Sequence, residues 1–267
     1  MELWMLGGDR RSPWTAQTLR AAGHAVHTFC VPSLPDETPP PEIERLILPM
    51  PCLRNGAIPG TRPLEPQEVL AHLRAGSRVY GGLLDRLGLP EGIQAAELYG
   101  SEPMTTRNAV ATAEGAIAEA VLHSDGTLHG AACLVIGFGR VGLALAQRLH
   151  GLSAHVTVAA RRVEARAQAE ALGFGSDEIG VYAHGTDYSY VFNTVPAPVL
   201  PVRRMACLPP DCLLMELASA PGGYEQAAAK RLGLRTVTAP GLPARCCPQE
   251  AGDAYGQAIL NVLEEDP

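Results

Sequence analysis

An apolar, β-branched run at residues 132–136 leads directly into a Gly-x-Gly-x-x-Gly turn at residues 137–142. A helical pattern follows at residues 143–150, and a second strand-like run follows at residues 155–159. A bare Gly-rich match is also compatible with an ordinary tight connection. Here the strand before the turn and the helix after it provide the context of a dinucleotide-binding βαβ unit. We therefore predict that this segment binds a nicotinamide dinucleotide.

Each glycine of the turn has a separate predicted task. Gly137 permits the tight turn, Gly139 lets the backbone approach a pyrophosphate, and Gly142 lets the helix pack closely on the strand. The pyrophosphate is expected to lie on free N–H groups at the helix N-terminus, where the helix dipole favours anions. The predicted coenzyme-binding set in this turn is Gly137, Phe138, Gly139, Arg140, Val141 and Gly142.

Composition limits the remaining possibilities. A chain of 267 residues is long enough for two domains of ordinary size. Its net charge of −7 argues against a nucleic-acid partner or an anionic membrane surface. No apolar run approaches the roughly 20 residues that a membrane span needs. Seven scattered cysteines without a Cys-x-x-Cys pair are typical of reduced thiols, which predicts a cytoplasmic protein without a metal site.

The first part of the chain, residues 1–105, is predicted to be a separate α/β unit of flavodoxin or Rossmann type that holds the substrate. Short apolar runs alternate with helical patterns there, as in a parallel sheet covered by helices. Strands are predicted at 3–6, 25–29, 46–48 and 78–80, and helices at 13–22 and 66–74. Residues 97–107 are predicted as a linker, and a connecting helix is expected at 112–123.

The second part, residues 106–267, is predicted to be the dinucleotide-binding Rossmann domain. Its predicted strands lie at 132–136, 155–159, 190–193, 213–217 and 235–239, with a last helix at 250–264. Strands that alternate with helices indicate a doubly wound parallel sheet. The predicted fold class is therefore α/β, with two Rossmann-like domains linked by a long helix. Whether the last helix packs back on the first domain stays open.

The end of the second strand of this unit bears on the choice of dinucleotide. In NAD-binding units an acidic residue about 20 residues after the turn binds the ribose 2′-OH. Here Arg161 and Arg162 occupy that place, and guanidinium groups suit a 2′-phosphate. NADP is therefore favoured over NAD. The alternative is that both arginines are merely solvated and that Glu164 takes the ribose.

Polar residues also follow the later strands, and ligands of open α/β sheets lie beyond the carboxyl ends of the strands. Small and polar groups after two of these strands are expected to line the nicotinamide and its ribose: Asn193, Thr194, Val195, Pro196, Ala218 and Ser219. Arg245, in the loop after the last strand, is a candidate for binding an acidic group. Ordinary loop chemistry is the alternative for each of these stretches.

Two further stretches carry candidate substrate groups. Gly-Gly-Asp-Arg-Arg at residues 7–11 follows the first strand, where backbone amides and Arg10 are suited to an anion. The connecting helix opens with Arg107 and Asn108, and Thr112 and Glu114 follow. These residues form a candidate polar cluster that faces the substrate, although a surface cap is the alternative.

Taken in order, these motifs resemble one family. The segments are Gly-Gly-Asp, Asn-x-x-x-Thr-Ala-Glu-Gly, Gly-Phe-Gly-Arg-x-Gly, Asn-Thr-x-Pro, Leu-Ala-Ser-x-Pro-Gly-Gly and Ala-Pro-Gly-Leu-Pro. Together they are similar, over nearly the whole chain, to the first of the two subunits of dipicolinate synthase. The family's usual lysine after the last motif is replaced in the run Pro248-Gln249-Glu250, which leaves Arg245 to supply that charge.

The resemblance implies an NAD(P)-dependent oxidation of a dihydrodipicolinate-level intermediate of the lysine pathway to pyridine-2,6-dicarboxylate. It also implies that the flavoprotein-like second subunit of dipicolinate synthase is a partner, and that the chain serves sporulation in the mother-cell cytosol of a spore-former. We expect a homo-oligomer. Two alternatives remain, an NADP-dependent 2-hydroxy-acid dehydrogenase and a non-catalytic, redox-sensing nucleotide-binding protein.

Such an oxidation produces an aromatic ring, so the protein mainly has to align the reacting C–H bond with the nicotinamide. None of the eight histidines lies in the motifs, which leaves no His–carboxylate dyad at these strand ends. Glu114, or a water that it holds, is the predicted proton acceptor. Arg10, Arg107 and Arg245 are the candidates for binding the substrate carboxylates.

Overall fold

The structure is a computed structural model that describes residues 1–181 and 187–265. The chain divides into two compact units. The first comprises Met1–Asn108 together with the segment that begins at Pro243, and the second comprises Ala109–Leu242. The last helix of the chain therefore belongs to the first unit.

The first unit is built on a parallel five-stranded sheet in the order β2-β1-β3-β4-β5. Its strands are β1 (Glu2–Leu6), β2 (Ala25–Phe29), β3 (Arg45–Ile47), β4 (Arg78–Gly81) and β5 (Gln94–Glu97). Its helices are α1 (Ser12–Ala21), α2 (Pro66–Leu70), the start of α3 (Glu102–Leu122), α8 (Leu242–Cys246) and α9 (Pro248–Glu264). The strand order reverses between β1 and β3, which is the place where such sheets bind ligands.

Helices α1 and α9 pack closely in this unit because glycines of α9 face α1. A Cβ at Gly252 would lie 2.3 Å from the backbone oxygen of Arg11. The hydroxyl of Thr15 donates to the backbone oxygen of Gly252 at 2.9 Å. From α9, the buried Tyr255 hydroxyl donates to the backbone oxygen of Leu48 at 2.7 Å, just past the end of β3. Helix α9 is thus part of the core of the first unit.

In the second unit, the described residues form a parallel six-stranded sheet in the order β11-β10-β9-β6-β7-β8. The strands are β6 (Ala132–Ile136), β7 (His155–Ala159), β8 (Gly175–Asp177), β9 (Tyr190–Asn193), β10 (Leu213–Glu216) and β11 (Arg235–Thr238). Helices α4 (Arg140–Gly151), α5 (Val163–Ala171), α6 (Val202–Met205) and α7 (Gln226–Arg231) connect them. Numbered within this unit, the order is 3-2-1-4-5-6 in reverse, which is that of dinucleotide-binding sheets.

The α/β, doubly wound architecture predicted from the sequence is confirmed, but some predicted elements are wrong. Residues 97–107 are not a linker, because Glu97 ends β5 and α3 begins at Glu102. Pro103 does not prevent this helix start, because proline is well tolerated in the first turn of a helix. Helix α2 is shorter than the predicted 66–74. Among the described residues, no helix is both long and apolar enough to cross a bilayer.

Candidate functional site

The turn after β6 is shaped by steric demands on two of its glycines. Gly137 has φ +96°, a left-handed conformation that L side chains rarely adopt. A Cβ at Gly142 would lie 2.1 Å from the backbone oxygen of Gly137, far inside van der Waals contact. Helix α4 can therefore begin this close to the strand only because both positions lack a side chain.

Gly139 differs from these two glycines because nothing in the protein crowds it. Its φ of −84° and ψ of −166° are open to any residue, and a Cβ there would meet no atom within 4 Å. It is the N-cap of α4, whose first turn has no acidic residue and no side-chain cap hydrogen bond. This helix start, which no side chain caps and at which Gly139 and Arg140 are exposed, therefore fits a pyrophosphate, and the fit depends on Gly139 having no side chain.

The other residues of the turn divide between core and surface. Phe138 and Val141 are partly buried and pack against the hydrophobic core of the unit, and the Phe138 ring meets that of Phe174 edge-on at 6.2 Å. Arg140 is exposed at the first position of α4. The predicted set of six residues is thus brought together, but Phe138 and Val141 are mainly packing residues.

The loop after β9 lies beside this turn, on the far side of the point where the strand order reverses. The Thr194 hydroxyl donates to the backbone oxygen of Ile136 at 2.8 Å. A Cβ at Gly137 would lie 2.4 Å from Thr194 Oγ1 and 2.7 Å from Val195 Cγ2. Thr194 and Val195 are half-buried and Pro196 is exposed. The structure therefore brings this predicted loop into contact with the Gly-rich turn.

A buried carboxylate to which the sequence pattern assigned no role orders the adjacent loop. Glu216 is the last residue of β10 and is 4% exposed. It accepts hydrogen bonds from the side-chain amide of Asn193 at 2.6 Å and from the backbone N–H of Ala218 at 3.0 Å. The backbone N–H of Gly223 donates to its other oxygen at 2.8 Å. Ser219, in the same loop, is exposed.

At the end of β7, two arginines point away from the core. Arg161 and Arg162 are both exposed, and neither guanidinium makes a hydrogen bond or ion pair with the part of the chain that the structure describes. Arg166 orders the backbone beneath them, since its Nη1 donates to the backbone oxygens of Ala160 and Arg161 at 2.9 and 3.0 Å. Two cationic side chains are therefore available at the place where dinucleotides carry their ribose 2′ group.

In the first unit, the structure brings together two arginines that are far apart in sequence. Nη1 of Arg10 donates to the backbone oxygen of Arg245 at 2.8 Å, and both residues are exposed. Arg10 follows β1, and Arg245 lies on α8. Two exposed guanidinium groups on neighbouring segments are suited to a ligand with two carboxylates.

Arg11, unlike the exposed Arg10, is held by contacts within the protein. It forms a bidentate ion pair with Asp9, with Nε–Oδ1 at 3.0 Å and Nη2–Oδ2 at 2.7 Å, and it also donates to the backbone oxygen of Met50. Burial alone would raise the pKa of Asp9, but the hydrogen bonds and charge of Arg11 outweigh burial and hold that pKa below its usual value. Of the anion site predicted at residues 7–11, Arg10 therefore supplies the available charge.

The candidates on α3 lie in different environments. Glu114 is exposed, and its carboxylate pairs with Arg148 Nε at 3.1 Å. A helix rises about 1.5 Å per residue, so Arg148 lies about 12 Å along α4 from Arg140. Arg148 is therefore well away from the Gly-rich turn. Asn108 and Thr112 are half-buried, whereas Arg107 is exposed. Glu114 thus has an ion-pair partner at the end of α4 remote from the turn.

Comparison with known proteins agrees with this geometry. The chain is 28% identical over 242 residues to the first subunit of dipicolinate synthase from Bacillus subtilis, covering 86% of this chain and 81% of that protein. The chain resembles this dipicolinate synthase component. The solved structure of the corresponding protein from Bacillus halodurans has a TM-score of 0.86 at 24% identity, with 98% of this chain and 97% of that chain covered. The resemblance predicted from the motifs is confirmed.

A more distant likeness extends the fold comparison. A transhydrogenase from Sinorhizobium meliloti has a TM-score of 0.75 at 17% identity, over 98% of this chain and 93% of that one. At this identity the likeness shows the fold alone. No protein-family model matches the chain.

Proposed function

We propose that the chain is an oxidoreductase component that uses a nicotinamide dinucleotide, NADP in preference to NAD, to oxidise a dihydrodipicolinate-level intermediate to dipicolinate. The observation that carries the proposal is the open Gly139 at the start of α4, beside the point where the strand order reverses. The similarity to the first subunit of dipicolinate synthase supports the choice of substrate.

The preference for NADP rests on Arg161 and Arg162. Their guanidinium groups are exposed and without an ion-pair partner among the described residues, so they can bind a 2′-phosphate without breaking an existing contact. No carboxylate follows β7 directly, where a ribose 2′-OH would need an acceptor. We expect a larger loss of affinity from removing the 2′-phosphate than from removing any other single group of the adenosine half.

The chemistry proposed for the protein is mainly one of positioning. When bound, the nicotinamide ring supplies the hydride acceptor. Arg10 and Arg245 bind the two carboxylates of the substrate and so hold its ring in one orientation. The loops after β9 and β10 exclude water from the nicotinamide half of the coenzyme. Loss of the proton completes an aromatic ring, which provides much of the driving force.

The wider assignments follow from the same resemblance. We propose the flavoprotein-like second subunit of dipicolinate synthase as partner, a homo-oligomeric state, and a place in the cytosol of a sporulating mother cell. The assay of the function therefore includes the partner.

The test combines binding and turnover. Calorimetry with NADP, NADPH and NAD measures the affinity of the pure chain. Absorbance of pyridine-2,6-dicarboxylate follows product from enzymatically generated dihydrodipicolinate, with and without the flavoprotein-like partner. Arg10→Ala should raise KM for the substrate and leave coenzyme affinity unchanged. Arg74→Ala is the matched control, since the Arg74 side chain is exposed, belongs to the same unit and is paired with Glu42.

The outcomes separate the alternatives. Activity on simple 2-oxo acids in place of the dicarboxylate would identify a 2-hydroxy-acid dehydrogenase. Coenzyme binding without turnover, even with the partner present, would identify a redox-sensing protein. No binding of any dinucleotide would refute the oxidoreductase proposal.

A further inference from the structure

We propose that Glu216 is a positioning residue for the nicotinamide half of the coenzyme, and that it acts through Asn193. The inference rests on the proposed function. It concerns the two loops that follow β9 and β10, defined here as the β9 loop (residues 194–196) and the β10 loop (residues 217–223). The strand order reverses between β9 and β6, so both loops lie on one side of this point and β7 lies on the other. The adenosine half of the coenzyme is expected on the β7 side.

The carboxylate of Glu216 is buried and is used for hydrogen bonds alone. Three donors reach it, from Asn193 Nδ2 and the backbone N–H groups of Ala218 and Gly223, at 2.6 to 3.0 Å. It has no ion-pair partner among residues 1–181 and 187–265. A buried carboxylate is costly unless its oxygens are satisfied, so these three bonds account for its presence here. Two of them set the shape of the β10 loop.

The bond to Asn193 determines which way the side-chain amide of Asn193 faces. Asn193 is fully buried. Its Oδ1 accepts from the backbone N–H of Val195 at 3.2 Å, and its Nδ2 donates to the backbone oxygen of Val195 at 2.9 Å and to Glu216. An amide turned the other way would present its oxygen to the carboxylate. Glu216 therefore keeps Asn193 in the orientation that holds the β9 loop.

Close packing is an independent sign that this network is built into the fold. A Cβ at Gly223 would lie 2.3 to 2.7 Å from the three side-chain atoms Nδ2, Cγ and Oδ1 of Asn193. Gly222 has φ +81°, and a Cβ there would lie 2.9 Å from Glu216 Oε2. Both glycines of the Pro-Gly-Gly segment are thus required by the side chains of the network, so the segment cannot be replaced by a generic loop.

The β9 loop also touches the Gly-rich turn, because Thr194 donates to the backbone oxygen of Ile136. A shift of Asn193 would therefore displace the β9 loop, which contacts the turn at Gly137 and has no atom within 4 Å of a Cβ placed at Gly139. Since the pyrophosphate and adenosine contacts are expected on α4 and at the end of β7, we expect the effect to fall on the nicotinamide half of the ligand. This gives the inference a readout that general destabilisation does not produce.

The test compares two ligands on the same variants. Calorimetry with NADPH measures the whole coenzyme, and 2′-phospho-ADP-ribose measures the part that lacks nicotinamide. In Glu216→Gln, the side-chain NH2 group replaces one carboxylate oxygen and must face N–H donors, because every contact of the carboxylate is with a donor. We expect Kd for NADPH to rise about tenfold or more, and Kd for 2′-phospho-ADP-ribose to change less than about twofold.

Two further variants complete the design. Gly223→Ala displaces the Asn193 amide without changing the carboxylate, so it tests the inference even if Glu216→Gln does not fold. Glu225→Gln is the matched control, because Glu225 is an exposed glutamate just after the β10 loop and is paired with Arg231. Thermal unfolding is measured for every variant.

The results decide between the inference and its alternatives. An equal loss of affinity for both ligands would mean that Glu216 only supports the fold, and an unchanged NADPH affinity in both Glu216→Gln and Gly223→Ala would mean that the network does not position the coenzyme. Either result overturns the inference while leaving the proposed function intact. Failure of the unmodified protein to bind any dinucleotide overturns both.

Discussion

Changing glycines of the turn after β6 to alanine is predicted to have two different effects, a loss of stability at Gly142 and a loss of coenzyme affinity at Gly139. In Gly142→Ala, the new methyl group would lie 2.1 Å from the backbone oxygen of Gly137, whereas ordinary contact begins at 3.4 Å. The start of α4 must then move away from the turn by about 1 Å. Overpacking of this kind costs about 1–3 kcal/mol, which we expect as a loss of stability. Coenzyme affinity should fall with it.

In Gly139→Ala, the methyl group meets no protein atom within 4 Å, and the backbone angles are open to alanine. Alanine is a poorer N-cap than glycine by up to about 1 kcal/mol. Its lower freedom in the unfolded chain returns about 0.4–1 kcal/mol, so stability should hardly change. The methyl group covers the surface proposed for the pyrophosphate. Losing one charge-assisted hydrogen bond costs about 1.5–3 kcal/mol, which raises Kd about 10- to 100-fold.

Calorimetry with NADPH and thermal unfolding, run on the same protein samples, separate these two effects. Gly151→Ala is the control, since Gly151 ends α4 and a Cβ there also meets no atom within 4 Å. It should leave affinity unchanged. The reasoning is refuted if Gly139→Ala binds NADPH as tightly as the unmodified chain, because the open position would then not face the ligand.

Three further predictions follow from charged residues. Changing Arg161 and Arg162 to alanine should weaken NADP binding at least about tenfold and leave NAD binding nearly unchanged in calorimetry; equal losses for both would exclude a 2′-phosphate site. Glu114→Gln should reduce turnover and spare coenzyme affinity if its carboxylate takes the proton, and Arg148→Ala, which removes the ion-pair partner but keeps the carboxylate, is the control. Full activity of Glu114→Gln would remove Glu114 from the chemistry. Arg11 outweighs burial and holds the pKa of Asp9 below its ordinary value of 3.8. The ion pair therefore stabilises the folded protein fully above pH 3.8, and this stabilisation is lost as the pH falls through the lower pKa of the folded state. Urea unfolding from about pH 2 to 6 should show this acid loss in the unmodified chain and a smaller one in Asp9→Asn.

Strands with apolar or β-branched residues could be predicted from the sequence, and two polar edge strands could not. The bounds of β6, β7 and β9 agree with the apolar runs, since these strands are paired on both sides and their side chains are largely buried. Edge strands β5 (Gln-Ala-Ala-Glu) and β8 (Gly-Ser-Asp) contain residues that disfavour strands. They form because β4 and β7 offer them backbone partners, which is a tertiary effect that local patterns do not record.

The candidate site shows the same limit. Sequence order placed Asn193 and Glu216 at the ends of two strands, and the parallel register then sets these two residues directly opposite each other. An amide and a carboxylate at matching ends of adjacent apolar strands is the signal that was available. Their burial, which turns two polar residues at strand ends into a network, follows only from tertiary packing. The contact between Arg10 and Arg245 could likewise not be predicted from the sequence, since it joins segments 235 residues apart.

The family motifs themselves combine two kinds of constraint. Gly137, Gly142 and Gly223 are required by protein atoms at 2.1 to 2.7 Å, and Asn193 is required by the backbone of Val195, so these positions would persist in a protein that bound nothing. Gly139 is different, because no contact in the described chain accounts for the absence of a side chain there. Within these motifs, Gly139, and not the crowded glycines, is therefore the position whose substitution reports on the ligand.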